Sequence, residues 1–318
     1  MKLLDKLPSE LNKRKWIAIA ITVILATPLT IWGIYGIGEY GLALFILTPL
    51  FIGVVSTILF GHGRILTKRE AAQISLLTLG IFIIGLIVFA IEGLICIAMA
   101  APVGILLTWI GSLIGQVTVN NNSNNSLTII LITFLIIPVT AFTERDSETQ
   151  LHKVSTSLII DADIETVWKN VIEFPRMGEP TEFIFKAGIS YPIDSEIKET
   201  EEGLVRYCNF NTGSFVEPIT EWNEPTTLRF DVHEQPEPMT EYSLWDINAP
   251  HLHDYFVSER GEFKLKELPN GQTELIGTTW YRHNIKPGGY WKLWSDWIIH
   301  SIHNRVLNHI KMNAETTS

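Results

Sequence analysis

The chain has 318 residues, of which 47% are hydrophobic, and a formal net charge of −10. Its two cysteines, Cys96 and Cys208, stand far apart at no metal-ligand or redox spacing, which argues against a disulfide scaffold and a cysteine-based zinc site. The acidic balance argues against nucleic acid as a partner, because such binding depends on Lys and Arg that neutralise phosphates.

Hydropathy and charge both change near residue 142. Residues 1–142 are almost wholly apolar and carry a net charge of +3, whereas residues 143–318 have the composition of a water-soluble domain and a net charge of −13. We therefore predict a transmembrane region over 1–142 and a soluble domain over 143–318. The acidic charge also argues against the soluble domain's lying flat on an anionic lipid surface.

The first part contains apolar runs long enough to cross a bilayer, since about 20 helical residues span the hydrocarbon core. The run 74–118 is too long for one crossing and is predicted to form two helices, with a turn either at Glu92-Gly93 or at the segment APVG (101–104). The sequence thus predicts about five transmembrane helices: 16–34, 41–60, two within 74–118, and 127–142.

The orientation follows from Lys and Arg, which concentrate in cytoplasmic loops. Residues 1–15 carry five and the loop 61–73 carries three, whereas the loop between the first two helices carries none. This pattern predicts a multi-pass protein of the cell membrane with a cytoplasmic N-terminus. Counting through five helices then places the soluble domain outside the cytoplasm, but if 127–142 does not span, the domain is cytoplasmic.

Glu92 is the one acidic residue inside the long apolar stretch. An ionisable residue within a membrane is by default a candidate for function. The alternative, which we favour, is that Glu92 marks the wet end of a helical hairpin.

The soluble part begins with strand-like alternation in KVSTSLII (153–160). A helix follows, with Asp161 or Asp163 as its N-cap, and ends at Pro175. A series of short strands comes next, including a hairpin turn with Asn-Gly at its tip in LPNGQ. A long helix from about Pro287 to about Asn313 ends the domain.

A helical wheel divides this terminal helix into two faces. The face predicted to cover the antiparallel sheet holds Trp291, Trp294, Ile298, Ile302, Val306 and His309. The opposite face holds Asp296, His300, His303 and Leu307.

The opening VSTSLIIDADIETVWKNVIEF, the strand meander and the long amphipathic terminal helix resemble the START-related (SRPBCC) superfamily of polyketide cyclases, plant pollen-allergen-like proteins and lipid-transfer domains. The resemblance covers about residues 152–312, and blocks such as YWKLWSDWIIHSIHNRVLNHI look like a bacterial, membrane-attached branch. It implies an α+β helix-grip fold, in which a curved antiparallel sheet surrounds the terminal helix with an apolar cavity between them, here preceded by an all-α transmembrane bundle. Because no catalytic motif is shared across the superfamily, it implies no catalytic residue.

The implied cavity predicts a set of site residues. Polar groups within strands have even odds of pointing inward, because strand residues alternate between faces. The candidate polar groups of the pocket are Arg206, Glu217 and His283. The candidate ligand-binding residues are Trp280, Trp291, Trp294, Ile298, Phe230 and Tyr207.

Two histidine pairs raise the question of a metal. They are His251 with His253 and His300 with His303, and Asp296 lies one turn before His300, where a carboxylate orients an imidazole. Nothing in the sequence brings the two pairs together, so neither a metal nor a cofactor is predicted. The chain also lacks G-x-S-x-G, H-E-x-x-H and glycine-rich phosphate motifs.

Three function classes remain. The favoured one is a membrane-anchored binding module that holds or transfers a lipid-like or other apolar small molecule. The second is an enzyme with cyclase, hydratase or hydrolase chemistry on such a molecule, and the third is a sensor whose occupancy is read by the membrane bundle. The expected partners are an apolar ligand and the lipid bilayer.

Overall fold

A computed structural model describes residues 4–37, 40–121, 125–144, 149–201, 203–241 and 255–317. These residues form two compact units. The first contains the described residues up to 144, together with Glu241 and Ile285–Pro287. The second contains the rest of the C-terminal half.

Among the described residues the first unit is mainly helical, and five of its helices are long and apolar enough to cross a bilayer. Short π-helical segments, Trp32–Ile37 and Ala43–Leu47, extend the first helix and precede the second. The helices are α1 Leu11–Ile31, α2 Thr48–Gly61, α3 Lys68–Val88, α4 Leu94–Asn120 and α5 Ser126–Glu144.

Helix α3 begins six residues before the apolar run that predicted it. Thr67 is its N-cap: the Glu70 N–H donates to Thr67 Oγ1 (3.2 Å), and the Thr67 N–H donates to Glu70 Oε2 (2.9 Å). This capping box starts the helix within a charged stretch. Hydropathy alone therefore places the start too late.

The turn between α3 and α4 lies at Glu92-Gly93, the first of the two predicted positions. The segment APVG lies inside α4, which contains Pro102. Glu92 is buried at this turn, where the Tyr40 hydroxyl donates to its Oε1 atom (2.6 Å). Burial raises the pKa of Glu92 to about 7, although the hydrogen bond from Tyr40 opposes the shift. Glu92 thus lies at the end of a helical hairpin, as the favoured interpretation expected, but it is buried there, so the expectation that this end is wet is wrong.

Two segments from the C-terminal half belong to the first unit. Glu241 lies at the start of α4, where its carboxylate accepts hydrogen bonds from the Ile95 N–H (2.9 Å) and the Cys96 N–H (3.2 Å). Ile285 forms a β-bridge with Tyr40. The first N–H groups of a helix have no partner within it, so a carboxylate is favourable there.

The second unit contains one seven-stranded antiparallel sheet in the order β1-β7-β6-β5-β4-β3-β2. The strands are β1 Leu151–Ile160, β2 Pro192–Thr200, β3 Gly203–Phe210, β4 Gly213–Asn223, β5 Thr227–Asp231, β6 Phe256–Glu267 and β7 Thr273–His283. Gly271, at the tip of the predicted Asn-Gly turn between β6 and β7, has φ +81°, which suits glycine.

Three helices accompany the sheet: α6 Ile164–Ile172, α7 Phe183–Lys186 and α8 Gly288–Thr317. Asp163 is the N-cap of α6, since its Oδ1 atom accepts from the Thr166 N–H (2.8 Å). The core between α6, α8 and the sheet contains Trp168, Leu228 and Leu307, all essentially without exposure. This curved sheet and long terminal helix are the predicted helix-grip arrangement, which is confirmed.

The predicted division of α8 into faces is wrong in part. Leu307 is fully buried in the core and His303 contacts two strands, although both were assigned to the outer face. The hydroxyl groups of Thr156 and Thr279 satisfy the His303 ring nitrogens (3.0 and 2.8 Å), so this polar side chain faces the sheet at little cost.

Candidate functional site

A cavity lies between the sheet and α8 within the second unit. Its volume is about 130 Å³, close to the roughly 150 Å³ of an engineered apolar cavity that admits benzene. Phenylalanine side chains from four strands form much of its wall: Phe210, Phe215, Phe230, Phe256 and Phe263. Helix α8 contributes Ile298, Ile299, Ile302, Val306 and Leu307.

The aromatic wall is tightly packed. The rings of Phe210 and Phe215 meet edge to face with centroids 4.8 Å apart. Phe230 and Phe263 lie 6.2 Å apart, and Phe230 crosses directly over Gly261, where a Cβ atom would be 2.3 Å from the ring. Glycine at this position therefore lets the Phe230 ring lie flat against β6.

A buried ion pair completes the cavity wall. Arg206 on β3 and Glu217 on β4 are directly opposed in the strand register, and the guanidinium donates to the carboxylate. Their side chains are only 3% and 7% exposed. The Arg206 Cζ atom also lies 5.0–5.8 Å from the ring centroids of Phe174, Phe230 and Phe263. The aromatic faces thus add cation–π attraction around the guanidinium.

Burial shifts the pKa values of two side chains in the cavity wall, Glu217 and Cys208. Burial raises the pKa of Glu217, and the Arg206 guanidinium opposes this shift. Burial also raises the pKa of the neighbouring Cys208 thiol to about 12. Because the thiolate is the nucleophilic form, Cys208 is unreactive at neutral pH. The guanidinium stays protonated in proteins.

His303 is the imidazole that lines the cavity. Burial lowers its pKa to about 4. Both ring nitrogens are within hydrogen-bonding distance of threonine hydroxyls, those of Thr156 and Thr279. A neutral imidazole held at both nitrogens has no free position for proton transfer to a ligand.

The histidine at position 303 leads to a pH prediction. The unfolded chain protonates this imidazole below about pH 6.5, whereas the folded protein does so only below about pH 4. The unfolded state therefore binds more protons in this window, and stability falls as the pH drops through it, by about 3 kcal/mol in total for this residue. The variant His303→Gln should lose that part of the pH dependence. Urea titrations of both proteins at several pH values test this, and parallel slopes would contradict it.

The structure places four of the predicted site residues in the cavity wall. They are two of the ligand-binding candidates and two of the polar candidates: Phe230, Ile298, Arg206 and Glu217. Their binding of a ligand stays a prediction.

Trp280 and Tyr207 lie on the opposite face of the sheet. Thr279 contacts His303 of α8, so the next residue, Trp280, points away from the helix and packs against Lys153 at 5.1 Å. In the same way, Arg206 faces the cavity and Tyr207 packs against the exposed Lys198 at 5.3 Å. The two-residue period of a strand accounts for both placements.

The remaining three candidates lie outside the cavity wall. Trp291 is buried at the start of α8, and Trp294 packs edge to face with Trp297 at 5.7 Å. His283 stacks on His152 with ring centroids 5.1 Å apart.

The predicted histidine pairs do not form a metal site among the residues that the structure describes. His251 and His253 lie outside those residues. Asp296 does not orient His300: it accepts from the Tyr281 hydroxyl (2.6 Å) and pairs with Lys292. His300 Nδ1 lies instead 2.7 Å from Thr156 Oγ1.

Sequence reasoning missed several cavity residues. Once Arg206 is placed inward, the two-residue period also turns Cys208 and Phe210 inward, and the same rule links Glu217 with Phe215. To predict these residues from the sequence, one would need to know for each strand whether one of its residues points into the cavity.

No protein-family model and no curated protein matches the chain. Solved structures match about half of it. A START superfamily protein from Mycobacterium smegmatis is 13% identical, and the match covers 52% of this chain and 99% of that one with a TM-score of 0.33. A norcoclaurine synthase point mutant from Thalictrum flavum is 12% identical, covering 54% and 100% with a TM-score of 0.35. A protein from Bacillus thuringiensis described as uncharacterized is 16% identical, covering 51% and 97% with a TM-score of 0.33. Likenesses this distant assign no function, and the membrane-attached branch stays a prediction.

Proposed function

We propose that the second unit binds an apolar small molecule in the cavity between the sheet and α8, while the first unit holds the protein in a membrane. The observation that carries this proposal is the cavity wall itself. It combines five phenylalanine rings with aliphatic residues of one helix and with the buried ion pair of Arg206 and Glu217. Ligand sites are commonly apolar and contain a few polar groups that fix the orientation of the ligand.

The ion pair indicates the kind of polar group the ligand carries. Arg206 and Glu217 neutralise each other, so a charged head group would gain no net attraction from this pair. Within the described part of the chain, the Arg206 Nε atom is buried without a hydrogen-bond partner. A ligand hydroxyl or carbonyl oxygen that accepts from this N–H would remove the cost of leaving it unsatisfied. We therefore favour a neutral amphiphile, such as an alcohol or ketone, over a fatty acid.

The chemistry of the wall favours binding over catalysis. The Cys208 thiol is protonated at neutral pH, the Glu217 carboxylate is already paired, and both nitrogens of His303 are held by hydroxyl groups. General acid–base catalysis needs a group that exchanges a proton with the substrate near the working pH. None of these three groups meets that requirement.

Native mass spectrometry of the purified full-length protein tests the proposal. We expect a fraction of the protein to carry a bound neutral amphiphile, released as the collision energy increases. Protein that carries no adduct, even after incubation with excess medium-chain alcohols, would contradict the proposed function.

The membrane part of the proposal also predicts a topology. The Lys and Arg of residues 1–15 and 61–73 support a cytoplasmic N-terminus, and five crossings by the long apolar helices would put the C-terminus on the other side of the membrane. A reporter that is active only in the cytoplasm, fused after Ser318, should therefore be silent. An active reporter would show that one of the five helices does not cross.

A further inference from the structure

An apolar stripe near the start of α8 consists of two exposed residues, Leu293 and Trp297, and the half-buried Trp294. The side chains of Leu293 and Trp297 are 70% and 48% exposed, and the rings of Trp294 and Trp297 meet edge to face. Their spacing of three and four residues puts them on one face of the helix. Exposed apolar patches of large side chains mark interaction surfaces.

The stripe lies on a different face of α8 from the one that packs against the sheet of the second unit. The sheet is covered by another face of α8, on which Ile299, Val306 and Leu307 are buried. Next to the stripe, Asp296 is engaged with Lys292 and Tyr281 on the side of the sheet. The stripe therefore exposes the Leu293 side chain and the Trp297 indole, neither of which belongs to the core.

The chain connects α8 directly to Ile285–Pro287, a segment of the first unit that lies at the ends of the apolar helices. The helix begins at Gly288, directly after Ile285–Pro287 of the first unit. The Lys286 N–H donates to the Tyr40 carbonyl oxygen (2.8 Å), and Lys286 Nζ lies 3.8 Å from Glu144, the last residue of α5. At a rise of 1.5 Å per residue, the stripe begins about 8 Å and ends about 14 Å along the axis from Gly288.

We propose that this stripe docks into the interfacial layer of the bilayer that the first unit crosses; the inference rests on the membrane part of the proposed function. Tryptophan is enriched at membrane–water interfaces, because its ring is apolar and its N–H finds polar partners at the head groups. The ends of membrane-spanning helices lie at that same level. The stripe itself carries no acidic residue, so the negative charge of the C-terminal half does not oppose this contact locally.

Docking of the stripe would bring the cavity wall near lipid. Ile298 and Ile299 line the cavity and directly follow Trp297. An apolar ligand that left the bilayer at this point would have a short path to the cavity, with little exposure to water. The stripe thus gives the proposed binding module a place at which to load from the membrane.

Spin labels on the full-length protein in phosphatidylcholine liposomes test this inference. Cysteines are introduced singly at Leu293, Met312 and Ile132 in a background with Cys96→Ser and Cys208→Ser. Met312 is the matched control, since it lies on the same helix and is 66% exposed, against 70% for Leu293. Ile132, 58% exposed on α5, reports whether that helix contacts lipid.

We expect the label at Leu293 to lose most of its accessibility to a water-soluble nickel chelate, relative to Met312, and to gain accessibility to oxygen. If Ile132 is in lipid while Leu293 matches Met312, the stripe does not dock, and the proposed membrane crossing stands. If Ile132 is also in water, the crossing and the docking both fail. As a label-free check, lipids brominated near the head group should quench less tryptophan emission in Trp297→Phe than in wild type. Equal quenching would contradict docking.

Discussion

Replacing Arg206 with methionine is expected to lower the free energy of unfolding of the second unit by about 3–5 kcal/mol. The substitution leaves the Glu217 carboxylate buried without its partner, since that side chain is only 7% exposed. It also removes the cation from among the three phenylalanine rings that surround it. The cost reflects an uncompensated buried charge rather than the net contribution of the pair.

Two controls separate these effects. The double variant Arg206→Met with Glu217→Leu removes both charges and should recover most of the loss, because a buried ion pair is often no more stable than an apolar replacement. Lys198→Ala breaks the exposed pair with Glu196 on β2, and it should change stability by less than about 1 kcal/mol. Hydrogen exchange of β3 and β4 amides in the full-length protein measures all three variants. Equal destabilisation by the single and double variants would contradict the account.

The order and type of elements followed from sequence patterns. Apolar runs of bilayer length predicted five helices, and short alternating segments between turn residues predicted the strands. Both signals are local, because a helix or a strand repeats over a few residues. The capping box at Thr67 is equally local, but it lies among charged residues that hide it from a reading of hydropathy.

The sequence did not predict which residues of each strand point into the cavity, and β3 shows why. The sequence analysis named both Arg206 and Tyr207 as pocket candidates, although neighbouring residues of a strand point to opposite faces. The structure turns Arg206 inward, where burying an unpaired charge would be costly, because Glu217 lies opposite it on β4 and neutralises it. That pairing depends on the strand register, which joins residues distant in the chain. His303 is a similar case, because hydroxyls of β1 and β7 make its burial favourable.

Filling the cavity is the second large effect that the structure predicts. Ile302 lines the cavity from α8, and a tryptophan at this position would take up much of its 130 Å³. The added ring enters the cavity rather than packed core. The free energy of unfolding should therefore fall by no more than the about 1–3 kcal/mol that overpacking a core usually costs. Met312→Trp adds the same ring at an exposed position of the same helix. Only Ile302→Trp should remove space from the ligand.

Photo-crosslinking with a medium-chain alcohol that carries a diazirine is the most direct test of the binding cavity. Peptide mapping distinguishes label in the cavity from label on helices α1–α5, so lipid or detergent does not obscure the result. For wild type and Met312→Trp we predict label on the cavity-lining peptides of β3, β4 and α8, and for Ile302→Trp we predict that this label is lost while labelling of α1–α5 persists. Label on the cavity peptides that is unchanged in Ile302→Trp, or absent from wild type, would contradict ligand binding in the cavity.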